Sequence, residues 1–371
     1  MRKLITAMGL MSGTSGDGID VSLIKSDGED FFESIKDYFY PFDANIKIKI
    51  RTLKDNIEKK SDLELNQHSI DKLEKEITIL HADAIKNFLI KNKINKSEID
   101  VVGFHGQTIL HSFKEKISRQ LADGKLLSDL LNLNVVYDFR KNDIENGGHG
   151  APLVPIFHKL IQKKNNIKLP TIFVNIGGIS NITYLGKENE ILSFDSGPGN
   201  FLIDKFLQLK SKNKIQFDEG GNIASKGHVN KIILKKYLND PYYKLYPPKS
   251  LDVNDFSLGH IGNLTIENST TTLTDLTAYT IVNSLNFFKE NPLSIIISGG
   301  GRKNNYILNK IRDLSNIDTH TIDIYKIDGD FLESQAFGYL AIRSLLKKII
   351  SFPETTGVDN PITGGIFVGI K

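Results

Sequence analysis

The stretch GLMSGTSGDGIDVSLIK, residues 9–25, packs four Gly, two Ser, one Thr and two Asp into its first twelve positions, then runs into an alternating segment. It follows the apolar run LITAM. The reading is a strand over 4–8, a polar glycine turn, and a second strand over 19–25. FFESIKDYFYPF, 31–42, supplies a third strand, so a meander opens a mixed sheet. Half a chain later, TIFVNIGGISNITYL (171–185) repeats the opening: apolar strand, Gly/Ser/Asn turn, alternating strand. A duplicated pattern of this kind predicts two related α/β domains.

Between and beyond these units the chain reads as strands and helices in alternation. Residues 64–92 are helical, with Ile70, Leu73, Ile77, Leu80, Ala84 and Phe88 on one stripe. EIDVVGF (98–104) and LNVVYDF (133–139) are short strands. GGHGAPLVPIFHKLI (147–161) reads as entry to the second domain. ILSFDSGPGNFLIDKFL (191–207) is a strand, a tight turn and a helix. LSIIISGGGRKNNYILNKI (293–311) is a buried-type strand, a triple glycine and a helix. A last helix begins near Leu332 and carries Ala336 and Leu340 on one face. The expected division is 1–133, joined by 347–371, and 134–346.

The 371 residues suffice for a large core, and a charged fraction of 25% is that of a soluble globular chain. A net charge of +3 gives no reason to expect nucleic acid or an acidic membrane as partner. The absence of cysteine excludes disulfides, thiolate metal sites and Cys nucleophiles. The apolar run in MRKLITAMGL is too short for a signal peptide, and no run of roughly 18 apolar residues predicts a membrane span. A cytoplasmic location is expected; a homodimer is left open. His105, His111, His149 and His158 have no compact zinc spacing.

Glycine loops at strand ends can turn backbone N–H groups toward an anion. Three occur: Gly13–Asp20 (Gly13, Thr14, Ser15, Gly16, Asp17, Gly18, Ile19, Asp20), Gly177 and Gly178 in the turn to Asn181, and Gly299, Gly300 and Gly301. None is GxxxxGK[ST] or a Rossmann GxGxxG. Any one alone reads as a tight turn; three in matching strand contexts point to phosphate. Ser12, Thr14 and Ser15 add hydroxyls, and Asp17 and Asp20 are carboxylates able to hold Mg²⁺ through water.

Eight blocks in one order carry a resemblance: GLMSGTSGDGIDVSL, GFHGQT, DFRKNDIENGGHGAPLVPIFH, VNIGGISNIT, FDSGPGNFLID, PPKS, SGGGRKN and ESQAFGYLA. Together they resemble the anhydro-N-acetylmuramic acid kinase family, in the sugar kinase/Hsp70/actin superfamily. The resemblance implies two duplicated ribonuclease-H-like domains around a central nucleotide- and sugar-binding cleft. It implies an ATP-dependent phosphotransferase that opens the 1,6-anhydro bond of 1,6-anhydro-N-acetylmuramic acid and phosphorylates O6, giving N-acetylmuramic acid 6-phosphate in peptidoglycan recycling. ATP and Mg²⁺ are the implied cofactors. Another sugar kinase, or a nucleotide-dependent binding module of the superfamily, is the alternative.

On that resemblance Asp195 in FDSGPGN is the base for the water that attacks C1, against the plainer reading of a helix cap. The family more often has Thr at position 196, where Ser keeps the hydroxyl. The three glycine loops hold phosphates and adenosine, with Asn304 or Asn305 near ribose or base. DFRKND offers Asp138, Arg140 and Asp143 to the sugar, and Arg140 suits its lactyl carboxylate, with a structural salt bridge as the other reading. His105, Gln107 and Thr108 bond N-acetyl or hydroxyl groups, and Glu333 at the last helix lies near the sugar. Two departures stand out. Gly16 replaces a residue that is more often large and apolar, and LDVNDF follows PPKS where many relatives read TGRE, which bears on Lys249 and Ser250.

Overall fold

The structure, a computed structural model, describes residues 3–13 and 16–370. The chain forms two compact units, Met1–Asn166 with Phe331–Lys371, and Ile167–Asp330. In chain order the strands are β1 (Ile5–Ser12), β2 (Gly18–Ser26), β3 (Phe32–Pro41), β4 (Val101–Ser112), β5 (Ile117–Leu121) and β6 (Val135–Tyr137). The second unit holds β7 (Thr171–Ile176), β8 (Ile179–Leu185), β9 (Ile191–Pro198), β10 (Ser294–Ser298) and β11 (Asp318–Thr321), and β12 (Ile366–Val368) returns to the first.

The two sheets repeat one plan. In the first unit the order is β3-β2-β1-β4-β6, extended by β12, with β5 hairpinned onto β4. β1, β2 and β3 form an antiparallel meander, and β4 and β6 run parallel to β1. In the second the order is β9-β8-β7-β10-β11, again an antiparallel meander followed by two parallel strands. An order 3-2-1-4-5 with these directions is the ribonuclease-H-like arrangement, present twice. The composition of the strands follows from it: β10, SIIIS, sits between two parallel neighbours and is buried throughout.

Each sheet has its own core. In the first, the helix Gln67–Asn92 buries Ile70, Leu73, Ile77, Ile85 and Phe88 against Leu10, Val21, Val102 and Phe104. Asn66 separates it from a short helix Lys60–Leu65, dividing what the periodicity reads as one element. In the second, Leu202, Phe206, Leu276, Ile281 and Ile307 pack on Val174, Ile295 and Ile297. No helix among the described residues is long and apolar enough to cross a membrane.

The units divide the chain elsewhere than the sequence reading does. Segments 134–166 and 331–346, assigned there to the second domain, lie in the first unit. The reason is pairing at long range. β6 bonds to β4, and Phe157, in the helix Pro155–Lys164, stacks edge-on against Phe32 at 4.9 Å. The helix Leu332–Leu345 is buried on nearly all sides rather than along one face.

That helix meets β1 and β4 where both are glycine. A Cβ on Gly9 would land on the Ser334 carbonyl, and one on Gly103 on the Phe337 carbonyl. Backbone atoms cannot move aside as a flexible side chain can, so Gly103→Ala is expected to cost about 3 kcal/mol of stability. Denaturant unfolding checks this; a loss below about 0.5 kcal/mol would contradict the packing.

Candidate functional site

In the first unit the opening stretch is mostly strand. β1 continues through Ser12 and β2 begins at Gly18, leaving a five-residue turn. The Gln107 amide, fully buried, ties it down: Nε2 donates to the Gly13 carbonyl at 2.9 Å, and Oε1 accepts from Ser12 Oγ at 2.6 Å. Gly16 N donates to the Gly13 carbonyl at 3.1 Å, and Gly16 has φ +67°, which a side chain rarely adopts. A Cβ there would meet Ile50 only at an ordinary 3.6 Å. Thr14 and Ser15 lie outside the described residues. Gly18 and Ile19 belong to β2, and the Ile19 side chain is buried in the core. Asp17 is exposed and Asp20 half-buried.

His105 and Arg140 come together. His105 Nδ1 lies 2.9 Å from the Gly106 carbonyl, so Nδ1 carries the proton. Nε2 then accepts from Arg140 Nε at 3.2 Å and Nη2 at 3.0 Å, while Arg140 Nη1 donates to the Gly150 carbonyl at 2.7 Å. Burial, then the guanidinium, hold the His105 imidazole well below its ordinary pKa. Burial also lowers Arg140, against the upward pull of Glu333 and Asp143. Glu333, second residue of its helix, is raised by burial and drawn back by Arg140. Both ring nitrogens of His105 and the Gln107 amide are thus engaged by the protein rather than held out for sugar. Thr108 Oγ1 accepts weakly from Gln120 at 3.4 Å.

Asp138 follows β6 in the left-handed region, φ +51°, its carboxyl raised chiefly by burial. Asp143 is structural: it accepts from Gly150 N at 2.6 Å and Thr356 Oγ1 at 2.5 Å. Among the described residues no group of three His, Asp or Glu could hold a metal ion. Two carboxylates, Asp17 and Asp20, still match the one or two that Mg²⁺ takes beside phosphate.

In the second unit Asp195 lies within β9 and does not cap the helix Phe201–Ser211, whose N-cap is Asn200. Asp195 Oδ2 accepts from Leu251 N at 2.8 Å. Its amide donates to the Lys249 carbonyl at 3.0 Å, and its carbonyl accepts from Tyr242 Oη at 2.6 Å. Oδ1 has no partner among the described residues. Burial raises this carboxyl to about 7, the Leu251 bond pulling the other way. Because the contact uses the Leu251 backbone, the LDVNDF departure leaves it intact for any residue with an N–H.

The glycine turns of this unit abut. Gly177 and Gly178 accept from Asn200 N at 2.7 Å and Gly199 N at 2.9 Å, stitching the turn to the next helix. A Cβ on Gly178 or Gly300 would come only into ordinary contact, at 3.8 and 3.9 Å; Gly178 is half-buried and Gly300 exposed. Gly299, φ +75°, packs on Asn175 and Ile176. Asn304 is occupied as a helix cap, accepting from Ile307 N at 3.1 Å.

Sequence reasoning missed Arg302. Its side chain, 6% exposed, donates to Asp323 at 3.1 Å, Asp328 at 3.1 Å and Asp330 at 2.5 Å, fixing the triple-glycine loop to the chain's exit from the unit. The signal was three Asp in DIYKIDGD, but nothing local ties them to position 302. It also missed the surroundings of Lys249, whose ammonium lies 4.6, 4.5 and 5.6 Å from the rings of Tyr242, Phe287 and Phe194. Burial lowers Lys249 to about 8.

Two ribonuclease-H-like units, each opening on a glycine turn between its first two strands, put the chain in the class of duplicated ribonuclease-H-like α/β folds. The profile of the family described as anhydro-N-acetylmuramic acid kinase matches residues 5–369. The anhydro-N-acetylmuramic acid kinase of Pelagibacter ubique is 47% identical over 99% of both chains. That of Brucella canis is 39% identical over 99% of both, and that of Zymomonas mobilis 39% over 97% of this chain and 98% of its own. The chain belongs to the anhydro-N-acetylmuramic acid kinase family. Its activity is phosphoryl transfer to an alcohol of 1,6-anhydro-N-acetylmuramic acid, in peptidoglycan recycling.

The Arg302 cluster gives a stability test. Burial raises Asp323 and Asp330, but bonds from Thr321 and Arg302 to the first, and from Arg302 and Lys303 to the second, leave both below the ordinary carboxylate value. Carboxyls held low stabilise the fold above their unfolded pKa and lose that contribution as pH falls through the folded value. Arg302→Gln should therefore cost about 2 kcal/mol at pH 7, and the deficit should narrow below about pH 4. Urea unfolding at the two pH values checks it; a pH-independent deficit would contradict the cluster's role.

Proposed function

We propose that the chain uses ATP to phosphorylate O6 of 1,6-anhydro-N-acetylmuramic acid while water opens the anhydro bond, with Asp195 as general base. The observation that carries this is the state of Asp195: one oxygen anchored on Leu251 N, the other without a partner among the described residues, and burial placing the carboxyl at about 7. A base poised near the working pH transfers a proton most effectively. Asp195 takes a proton from water as the water oxygen bonds to C1. The C1–O6 bond breaks, its electron pair staying on O6, and O6 attacks the γ-phosphorus as ADP leaves.

The glycine turns supply backbone N–H groups for the phosphates. Gly13–Asp20 would take the β- and γ-phosphates, and half-buried Gly178 and exposed Gly300, with no side chain in the way, suit phosphate and adenosine. Mg²⁺, when bound, would neutralise phosphate charge, held through water by Asp17 and Asp20. Arg140 would receive the lactyl carboxylate, and Glu333 a sugar hydroxyl. ATP as donor goes with a cytoplasmic location. The reading of a nucleotide-dependent module without sugar chemistry has no observation in its favour.

Mass analysis of the product formed in isotopically labelled water tests the reaction: label at C1 and phosphate on O6 are expected. Asp195→Asn should lower kcat by about a thousandfold with the KM for ATP little changed. Full activity of that variant would overturn the base assignment. The wild-type kcat should rise with pH through about 7, since the base works ionised. A carboxyl raised in the fold destabilises it above the folded pKa, and that penalty vanishes below the unfolded one. Asp195→Asn should thus gain about 1–2 kcal/mol at pH 8 and nothing at pH 3, by thermal unfolding.

A further inference from the structure

We propose that His105 is a positioning residue: a neutral imidazole that aims the Arg140 guanidinium without cancelling its charge, and so sets the preference for a sugar bearing a carboxylate. This rests on the reading of Arg140 as the lactyl receptor. The geometry is specific. The Gly106 carbonyl can only accept, so the ring's one proton is on Nδ1 and its lone pair on Nε2 faces Arg140 Nε and Nη2. The Phe337 ring holds the imidazole from above, centroids 4.3 Å apart. Phe337 itself is fixed where its helix meets Gly103.

Arg140 carries five N–H bonds. Two go to His105 and one to the Gly150 carbonyl. Two remain, one on each terminal nitrogen, which is the number a bidentate carboxylate takes. No carboxylate lies within ion-pair distance of Arg140 among the described residues, and Asp143, the near acid in sequence, is spent on Gly150 N and Thr356. A carboxylate in the place of His105 would orient the guanidinium equally well but would neutralise it. A neutral acceptor leaves the positive charge for the ligand.

The test compares two sugars in the full-length protein: 1,6-anhydro-N-acetylmuramic acid, and 1,6-anhydro-N-acetylglucosamine, which lacks the lactyl group. His105→Phe keeps the ring against Phe337 and removes the acceptor. It should raise the KM for the muramic sugar about tenfold, with kcat and the KM for ATP within about twofold. The KM for the lactyl-free sugar should not move. His105→Gln, which restores an acceptor near Nε2, should recover most of the loss. Equal losses on both sugars would mean a merely structural histidine and overturn the proposal. Arg140→Met separates the layers. If it abolishes the preference while His105→Phe leaves it intact, the His105 role falls alone; if it too leaves the preference intact, the lactyl reading of Arg140 falls, and the His105 role with it. Should His105→Phe not fold, the ¹⁵N-imidazole spectrum of the wild-type protein decides: a neutral ring protonated on Nδ1 is expected, and a charged or Nε2–H ring overturns the proposal.

Discussion

The close approach of the helix Leu332–Leu345 to β1 and β4 is the constraint on which the first unit depends. It is possible only because Gly9 and Gly103 have no Cβ. Once the backbones touch, the rest of that face is determined. Ser334 Oγ pairs with Ser22 Oγ at 2.6 Å, and the Gln335 amide donates to Asp37 at 3.1 Å. Phe337 lies between the rings of His105 and Phe139. Farther along, Arg343 and Tyr339 both donate to the Gly28 carbonyl. The helix is the last long element of the chain, yet it covers the first strand. Its first turn brings Glu333 within electrostatic range of Arg140.

What could be read beforehand was what is local. A glycine turn between two alternating segments declares itself over about fifteen residues, and both meanders were legible for that reason. Asp195 was legible as part of a block and at the end of a strand, which runs on to Pro198; its Leu251 anchor, 56 residues away, was not. The boundaries failed because GGHGAP looks like a domain entry, whereas β6 just before it is hydrogen-bonded to β4. Gln107 and His105 were read as ligand contacts from the resemblance and from their place in a Gly-flanked turn at a strand end. Their partners, Gly13 and Arg140, are 94 and 35 residues away, and no local pattern encodes such pairs. The same holds for Arg302 and its three carboxylates, 21 to 28 residues on.

The charged groups divide by how they are compensated. Arg302 is buried and surrounded by three carboxylates, so its charge is cancelled and its work is to fix a loop. Arg140 and Asp195 are treated oppositely. Each is oriented by neutral partners, an imidazole and a carbonyl for one, a single backbone N–H for the other, and neither has a counter-ion in bonding range among the described residues. Burial outweighs the opposing pulls on both, Glu333 and Asp143 on the guanidinium and the Leu251 N–H on the carboxyl, lowering the first and raising the second. An uncompensated buried charge is unfavourable for folding alone. A fold that neutralises one arginine three times over and leaves another bare is not short of carboxylates. The difference is intelligible if the bare charges are completed by a ligand: an anionic substituent for Arg140, and a proton from water for Asp195.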